Sequence, residues 1–400
     1  MKTYIGKIIT LILTLTLVFG STLSLSSCSY TLGILGDALD NVGGDGEGGD
    51  GEGGDGDGGE NLTAQRAGFL SSVAIIANFG NSSSTPRTQA GSGVIYKLDK
   101  ATGDAYIITN YHVVYYDNGR GTISNDIEVY LYGLVAEPYA IEATYLGGSM
   151  NYDLAVLKVS DSYLLKEEPV TAATVSDSEL LRALDPVIAI GNAEGEGFSA
   201  TKGSVSVPSE YLTMTGPNGY TDITVRVIRV DTAINEGNSG GGLFNAEGKL
   251  VGIVNAKKIG EKVDNIAYAI PINLAVAVAE NIIFHDTASP RGFCRYLLGI
   301  TISEAELSLD VDENGEIVRT ARVAITEVQN NSPIYHFVKE GDTIHKITVA
   351  GKETAVTAVH HVTESMLWAR PDDVVTLVIE RDGKFHTATL TVSSGIGVTE

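Results

Sequence analysis

NEGNSGGGLF, residues 235–244, is the stretch on which the reading of this chain turns. Gly, Asn and Ser together ordinarily mark a surface turn. Here the run lies between two apolar segments, ITVRVIRVDTAI (223–234) and LFNAEGKLVGIV (243–254), that read as core strands. One serine among closely spaced glycines admits a second reading. Glycine lets a backbone come close to another group where a side chain would block it. The stretch is then a turn that delivers Ser239 to something.

Outward from this stretch, residues 65–270 are a succession of short apolar runs separated by Gly, Asn and Asp. SSVAIIANF, GSGVIYKL, DAYIITN, IEVYLYG, LAVLKV, PVIAIGN, ITVRVIRV, KLVGIVNA and NIAYAI are the clearest. Regular spacing of short strands predicts an all-β barrel or sandwich. Pro271 opens INLAVAVAENIIF, which reads as a closing helix. HDTASPRG (285–292) reads as a linker. Residues 293–395 form a second unit of strands with one helical segment, AVHHVTESMLWA (358–369), stopped by Arg370-Pro371.

Acyl transfer by a serine requires a base to take its proton and a group to orient that base. Among the seven histidines, His112 precedes Ser239 at the end of a clear strand, in AYIITNYHVV. Alone, such a histidine is ordinarily structural. NYDLAVLKV (151–159) places Asp153 directly before an apolar run, and a carboxylate about to be buried needs a donor such as a histidine N–H. Alone, this too is ordinary turn chemistry. In combination, His112, Asp153 and Ser239 follow the chain order of chymotrypsin-type proteases within an all-β segment of suitable length.

The blocks TNYHVV, NYDLAVLKV, AIGNAEGEGF, DTAINEGNSGGGLFN, GKLVGIVNA and AYAIPIN resemble, in order, those of the HtrA/Deg family of exported serine proteases. RYLLGI, KEGDTIHKITVAGKE and RPDDVVTLVIERDGK resemble the PDZ domain that follows the protease in that family. The resemblance implies a trypsin-like double β-barrel over 63–286 and a PDZ domain over 291–396. It implies His112, Asp153 and Ser239 as the catalytic triad, with the Gly237-Asn238-Ser239 turn as oxyanion hole. The amides of Gly237 and Ser239 would point at one spot, a contribution of roughly 3–4 kcal/mol per donor. It also implies Leu297, Leu298, Gly299 and Ile300 as the loop that holds a peptide C-terminus while the peptide adds as a strand.

The resemblance to the trypsin-like fold further implies that Ala233, six residues before the nucleophile, forms the base of the primary specificity pocket, with Ile253, Val254, Asn255 and Ala256 as its wall. A pocket without a carboxylate predicts cleavage after small aliphatic residues, unless Asp231 turns into it. Two departures stand out: Glu236 and Gly242 replace prolines usual in the family. The implied substrates are unfolded or misfolded extracytoplasmic proteins, with peptide C-termini as partners of the PDZ domain, in protein quality control. A homotrimer and the absence of any cofactor are also implied. The alternative is a catalytically silent peptide-binding adaptor or chaperone, which an intact triad argues against.

Lys2 and Lys7 followed by IITLILTLTLVF (8–19) read as an export signal, too short to span a bilayer. Leu25-Ser26-Ser27-Cys28 resembles the lipobox of bacterial lipoproteins, which implies cleavage after residue 27 and lipidation of Cys28. Residues 28–62 then form an acidic, Gly-rich tether with too few apolar residues to fold, reaching on the order of 30 Å. The expected location is the outer face of the bacterial cell membrane, held by a lipid anchor. A net charge of −23 excludes nucleic acid as a partner by electrostatics. Cys294, the second of two cysteines, reads as a buried thiol. His360-His361 reads as a surface pair without metal, because adjacent helical residues ordinarily face apart.

Overall fold

The computed structural model describes residues 66–80, 87–117, 119–135, 139–195, 197–255, 266–288, 293–311, 315, 317–393 and 397–399. The signal segment, Cys28, the tether and Ala256 lie outside the described residues.

The first barrel is built from β1 (Ser72–Phe79), β2 (Arg87–Asp99), β3 (Asp104–Thr109), β4 (Asp126–Leu131), β5 (Ala140–Ser149) and β6 (Leu154–Val159). They close in the order β1-β2-β3-β6-β5-β4, all antiparallel. The second barrel comprises β7 (Pro186–Gly191), β8 (Ser199–Thr215), β9 (Asp222–Val230), β10 (Gly242–Asn245), β11 (Leu250–Asn255) and β12 (Ala267–Pro271). Its order is β8-β9-β12-β11-β10-β7, again closed. Among the described residues, closure leaves no free strand edge in either barrel.

β6 (LAVLKV) and β11 (LVGIVN) are apolar almost throughout and buried on both faces. One face fills a barrel and the other fills the seam between barrels. That seam contains Val94, Ile108 and Val156 from the first barrel and Ile190, Phe244 and Ile253 from the second. The runs hardest to read from sequence were β5, β8 and β10. β8 is mostly half-exposed and contains Pro208, which cannot donate to a ladder. Register shifts between Val205/Val207 and Val207/Glu210 bracket that proline, so it sits at bulges.

Helix α1 (Tyr111–Val114) and α2 (Tyr163–Glu167) are single turns in the first barrel's loops. Helix α3, Ile272–Ala288, follows Pro271 directly and extends through His285, Asp286, Thr287 and Ala288, which the sequence reading gave to a linker. It is apolar nearly all round because it is covered on two sides. Leu274, Val278 and Ile282 belong to the same core as the barrel seam, and Leu367 of the C-terminal unit joins them.

That C-terminal unit starts with β13 (Cys294–Tyr296), followed by β14 (Ile300–Val311), β15 (Ile317–Val328), β16 (Thr343–Val349) and β17 (Lys352–Ala355). β18 (Val374–Arg381), β19 (Lys384–Thr391) and β20 (Gly397–Thr399) complete it. The main sheet runs β14-β15-β16-β18-β19, with β17 on β16, while β13 pairs with β20. Helix α4 (Val359–Ser365) and a 3-10 turn (Met366–Trp368) lie between β17 and β18, where the sequence placed one helical segment. The Cys294 side chain is buried in this unit's core.

Two polar joints hold this unit against the barrels. Arg226 of β9, 3% exposed, donates to both oxygens of Glu364 at 2.6 and 2.7 Å and to Glu179 Oε1 at 2.9 Å. Burial disfavours the Glu179 carboxylate, but the two nearby histidines and Arg226 outweigh it and hold the group well below the usual carboxylate range. Asn281 of α3 is the second joint. Its Nδ2 donates to the carbonyls of Cys294 (2.8 Å) and Leu367 (2.9 Å), and its Oδ1 accepts from Cys294 N–H (3.0 Å). All three bonds are buried, so removing the amide strands three backbone groups. We expect Asn281→Ala to lower stability by about 3 kcal/mol, read from urea denaturation. A change under about 0.5 kcal/mol would show that the helix face alone docks the C-terminal unit.

Candidate active site

Asp153 ends a tight turn in which its N–H donates to Met150 O at 3.3 Å. Its φ of +50° lies in the left-handed region, which costs most residues roughly 1–2 kcal/mol and which Asp tolerates better than most. This conformation aims a fully buried carboxylate between the barrels. Three N–H donors meet it. His112 N–H reaches Oδ1 at 3.0 Å, His112 Nδ1 reaches Oδ2 at 2.7 Å, and Asn255 Nδ2 reaches Oδ2 at 3.0 Å. A carboxylate only accepts, so His112 carries its proton on Nδ1 and keeps the Nε2 lone pair.

His112 lies in the single turn α1, which has no capping side chain at Asn110. The Asp153 carboxylate takes that role by accepting the His112 amide. Asn110 instead donates its Nδ2 to Asp153 O at 2.9 Å. At the other end of the turn, Gln89 Nε2 lies 3.0 Å from both His112 O and Tyr115 O. The imidazole remains about one quarter exposed, open to a substrate.

Ser239, 7% exposed, is fixed through its backbone from both barrels. Ser92 of β2 donates its N–H to Ser239 O (2.8 Å) and its hydroxyl to Gly237 O (2.7 Å). Ser92 Oγ in turn accepts Asn192 N–H at 2.8 Å. From β11, Val254 exchanges bonds with the loop: Gly240 N–H to Val254 O at 2.9 Å and Val254 N–H to Gly241 O at 2.8 Å. Gly240 has φ +84°, and a Cβ there would stand 2.1 Å from Ser92 O and 2.3 Å from Thr109 Oγ1. Only glycine fits this position. The same contact sets the Ser239 loop against Asn110, two residues before His112: the Cβ would also lie 3.1 Å from Asn110 N.

In the 237–239 turn, Gly237 adopts φ +93°. The Asn238 amide turns inward and donates to Asn235 O at 3.2 Å, so it cannot serve an oxyanion. Gly242, one of the two departures from the family's prolines, begins β10 between β7 and β11. A Cβ at 242 would come within 2.4 Å of the Phe244 ring, which is fully buried and cannot swing aside. Glycine at 242 is therefore coupled to phenylalanine at 244.

The specificity residues need correction. Ala233 is exposed, with its carbonyl accepting from Thr201 Oγ1 at 2.8 Å, so it is not the floor of a buried pocket. Ile253 and Val254 are fully buried, and Val254 is engaged by the nucleophile loop, so neither offers an open strand edge. Asn255, expected in the pocket wall, is 2% exposed and turned to Asp153. Asp231 accepts from the Ser204 amide and hydroxyl, and these hydrogen bonds lower its pKa and hold it against β8.

In the C-terminal unit, Leu298 is buried and its carbonyl accepts Ser332 Oγ at 2.7 Å. Gly299 takes φ +66° and its carbonyl accepts Gln329 N–H at 2.9 Å, while Leu297 is exposed and Ile300 begins β14. The sequence reading missed Ser92, Gln89 and the orientation of Asn255. Ser92 had a legible signal, a polar residue inside the apolar run GSGVIY. A buried hydroxyl there has to find partners.

The family model for the trypsin-like peptidase domain matches residues 91–253. The serine protease Do-like HtrA of Lactococcus lactis subsp. lactis (strain IL1403) is 33% identical over 331 residues, covering 79% of this chain and 74% of that protein. Its namesake from Bacillus subtilis (strain 168) is 39% identical over 211 residues, 51% of this chain and 42% of the relative. Among solved structures, the HtrA-type protease AlgW with tripeptide superposes with a TM-score of 0.53 at 27% identity, covering 83% of this chain and 96% of that one. Two closed barrels, a buried Asp153 paired with His112 at their seam and a glycine-rich serine loop beside it accord with these likenesses, and the chain belongs to the HtrA family of trypsin-like serine proteases.

Proposed function

We propose that this serine endopeptidase cleaves peptide bonds with Ser239 as nucleophile, His112 as base and then acid, and Asp153 as the group that orients the imidazole. The observation that carries this reading is the 2.7 Å contact from His112 Nδ1 to Asp153 Oδ2. It leaves Nε2 to take the hydroxyl proton of Ser239 and return it to the leaving amine. The amides of Gly237 and Ser239 hold the oxyanion, worth roughly 3–4 kcal/mol per donor. Asn255 is a positioning residue that acts through Asp153. The natural substrates are unfolded or misfolded proteins outside the cytoplasm.

Cleavage follows small aliphatic residues, because Asp231, the acid that could turn into the pocket, is tied to Ser204. A buried, unpaired lysine or arginine would cost several kcal/mol. The C-terminal unit is a PDZ domain that binds peptide C-termini. In support, among the described residues β14 is an edge strand paired with β15 alone, and the Leu297–Ile300 loop leads into it. A peptide adding to that edge would satisfy the open row of backbone groups. Export and lipidation at Cys28, outside the described residues, rest on the lipobox-like sequence.

Ser239→Ala should abolish casein hydrolysis while leaving the melting temperature within about a degree, and turnover in that variant would refute the assignment. The wild-type protein should cut a peptide library chiefly after Val, Ile, Leu or Ala; dominant cleavage after Lys or Arg would show that Asp231 reaches the pocket. A peptide ending in a free carboxylate should bind at least tenfold more tightly than its C-terminal amide. Equal binding would remove the PDZ reading. Cys28→Ala should move the protein from the membrane to the soluble fraction, and unchanged sedimentation would remove the lipid anchor.

A further inference from the structure

We propose that Glu179, His360 and His361 form a binding site for a divalent transition-metal ion of the zinc class, at the joint between the barrels and the C-terminal unit. The adjacent histidines do not face apart. They open helix α4 with ring centroids 4.3 Å apart, and both Nε2 atoms converge on one carboxylate oxygen. His360 Nε2 is 3.3 Å and His361 Nε2 is 3.9 Å from Glu179 Oε2. The three donor atoms lie within 4.8 Å of one another, the one such group among the described residues. Tetrahedral zinc with bonds of about 2.0–2.1 Å places its ligand atoms about 3.3–3.4 Å apart. One of the three pairs already meets this spacing, and a small movement of His361 adjusts the two pairs in which it takes part.

The surroundings suit a bound cation. Glu179 Oε1 is fixed by Arg226 at 2.9 Å, which orients the carboxylate and leaves Oε2 for coordination. The Arg226 charge is already met by both oxygens of Glu364. A cavity of about 340 Å³ adjoins the three donors and is also lined by Asp177, Asn273, Lys352 and Ser365. Glu179, Glu364 and Asp177 outweigh Arg226 and Lys352 by one negative charge. The cavity leaves room for water as a fourth ligand. Two imidazoles and one carboxylate are a donor set suited to zinc and unsuited to magnesium or calcium.

Binding carries a tautomeric signature. Thr357 N–H now donates to His361 Nδ1 at 3.1 Å, which places the ring proton on Nε2. Coordination through Nε2 moves that proton to Nδ1, where Thr357 Oγ1, 3.5 Å away, can accept it. Thr357 is an exposed residue, so water can take its amide instead. The ion would clamp the Ser178–Leu180 turn of the protease part to α4 of the C-terminal unit.

The test uses the full chain without an affinity tag, with Ser239→Ala to prevent self-cleavage, stripped of metal and titrated with Zn2+ by calorimetry. One ion should bind per chain, and Co2+ should give the intense visible absorption of a four-coordinate site. His361→Gln and Glu179→Gln should each weaken binding at least tenfold. His361→Gln should leave the metal-free protein folded by circular dichroism, so a folding defect in Glu179→Gln would not obscure the result. Nitrogen NMR should show the His361 proton move to Nδ1 on zinc binding. Failure to saturate, undiminished binding in His361→Gln (as for an ion held at His112), or a weak six-coordinate cobalt spectrum would each overturn the proposal.

Discussion

A carboxylate buried between two barrels is the constraint around which the protease part is arranged. Asp153 is fully buried, and an ionised group in that position is tolerated only when its lone pairs are met by donors. Two donors come from His112 in the first barrel and one from Asn255 in the second. Satisfying the carboxylate therefore fixes the imidazole tautomer and the position of one barrel on the other. Local backbone pays toward the same end: the left-handed φ of Asp153 is sustained because the surrounding bonds determine it.

The loop bearing Ser239 is positioned by the same logic with neutral groups. Ser92 reaches it from the first barrel and Val254 from the second, so its backbone bonds to each side of the seam. Glycine at 240 follows from that close approach, since a methyl group would overlap Ser92 O. Strand residues Ser92, Val254 and Asn255 brace the turns and loop that carry these groups, which suits a site that has to be preorganised before substrate arrives.

The C-terminal unit is attached by a different mixture of forces. Leu367 enters the apolar core beside α3, while Asn281, Arg226, Glu179 and Glu364 supply directional bonds. Apolar contact gives adhesion without fixed orientation, whereas a bidentate Arg–carboxylate pair sets both distance and angle. Glu179 and the α4 histidines meet at this joint, on segments about 180 residues apart in the chain.

Much of the protein was legible in its sequence, because local patterns carry it. Short apolar runs with Gly, Asn and Asp between them determine strands, and NEGNSGGGLF, TNYHVV and NYDLAVLKV single out Ser239, His112 and Asp153. β8 escaped that reading because its surface is mixed and Pro208 interrupts it; the bulges that admit the proline exist only once β9 is paired beside it. Asn255 and Ala233 were misplaced for a related reason. Position in a motif says which loop a residue belongs to, but a side chain's direction depends on the register of neighbouring strands and on which buried group most needs a partner. His360 and His361 show the same limit: helical periodicity predicts divergence, and a carboxylate from a distant segment draws both rings together. Strands, helices and candidate chemistry were readable in advance, since they follow from patterns within a few residues. Tertiary structure alone decided which polar groups meet, since burial makes an unmet donor or acceptor costly and its partner comes from far along the chain.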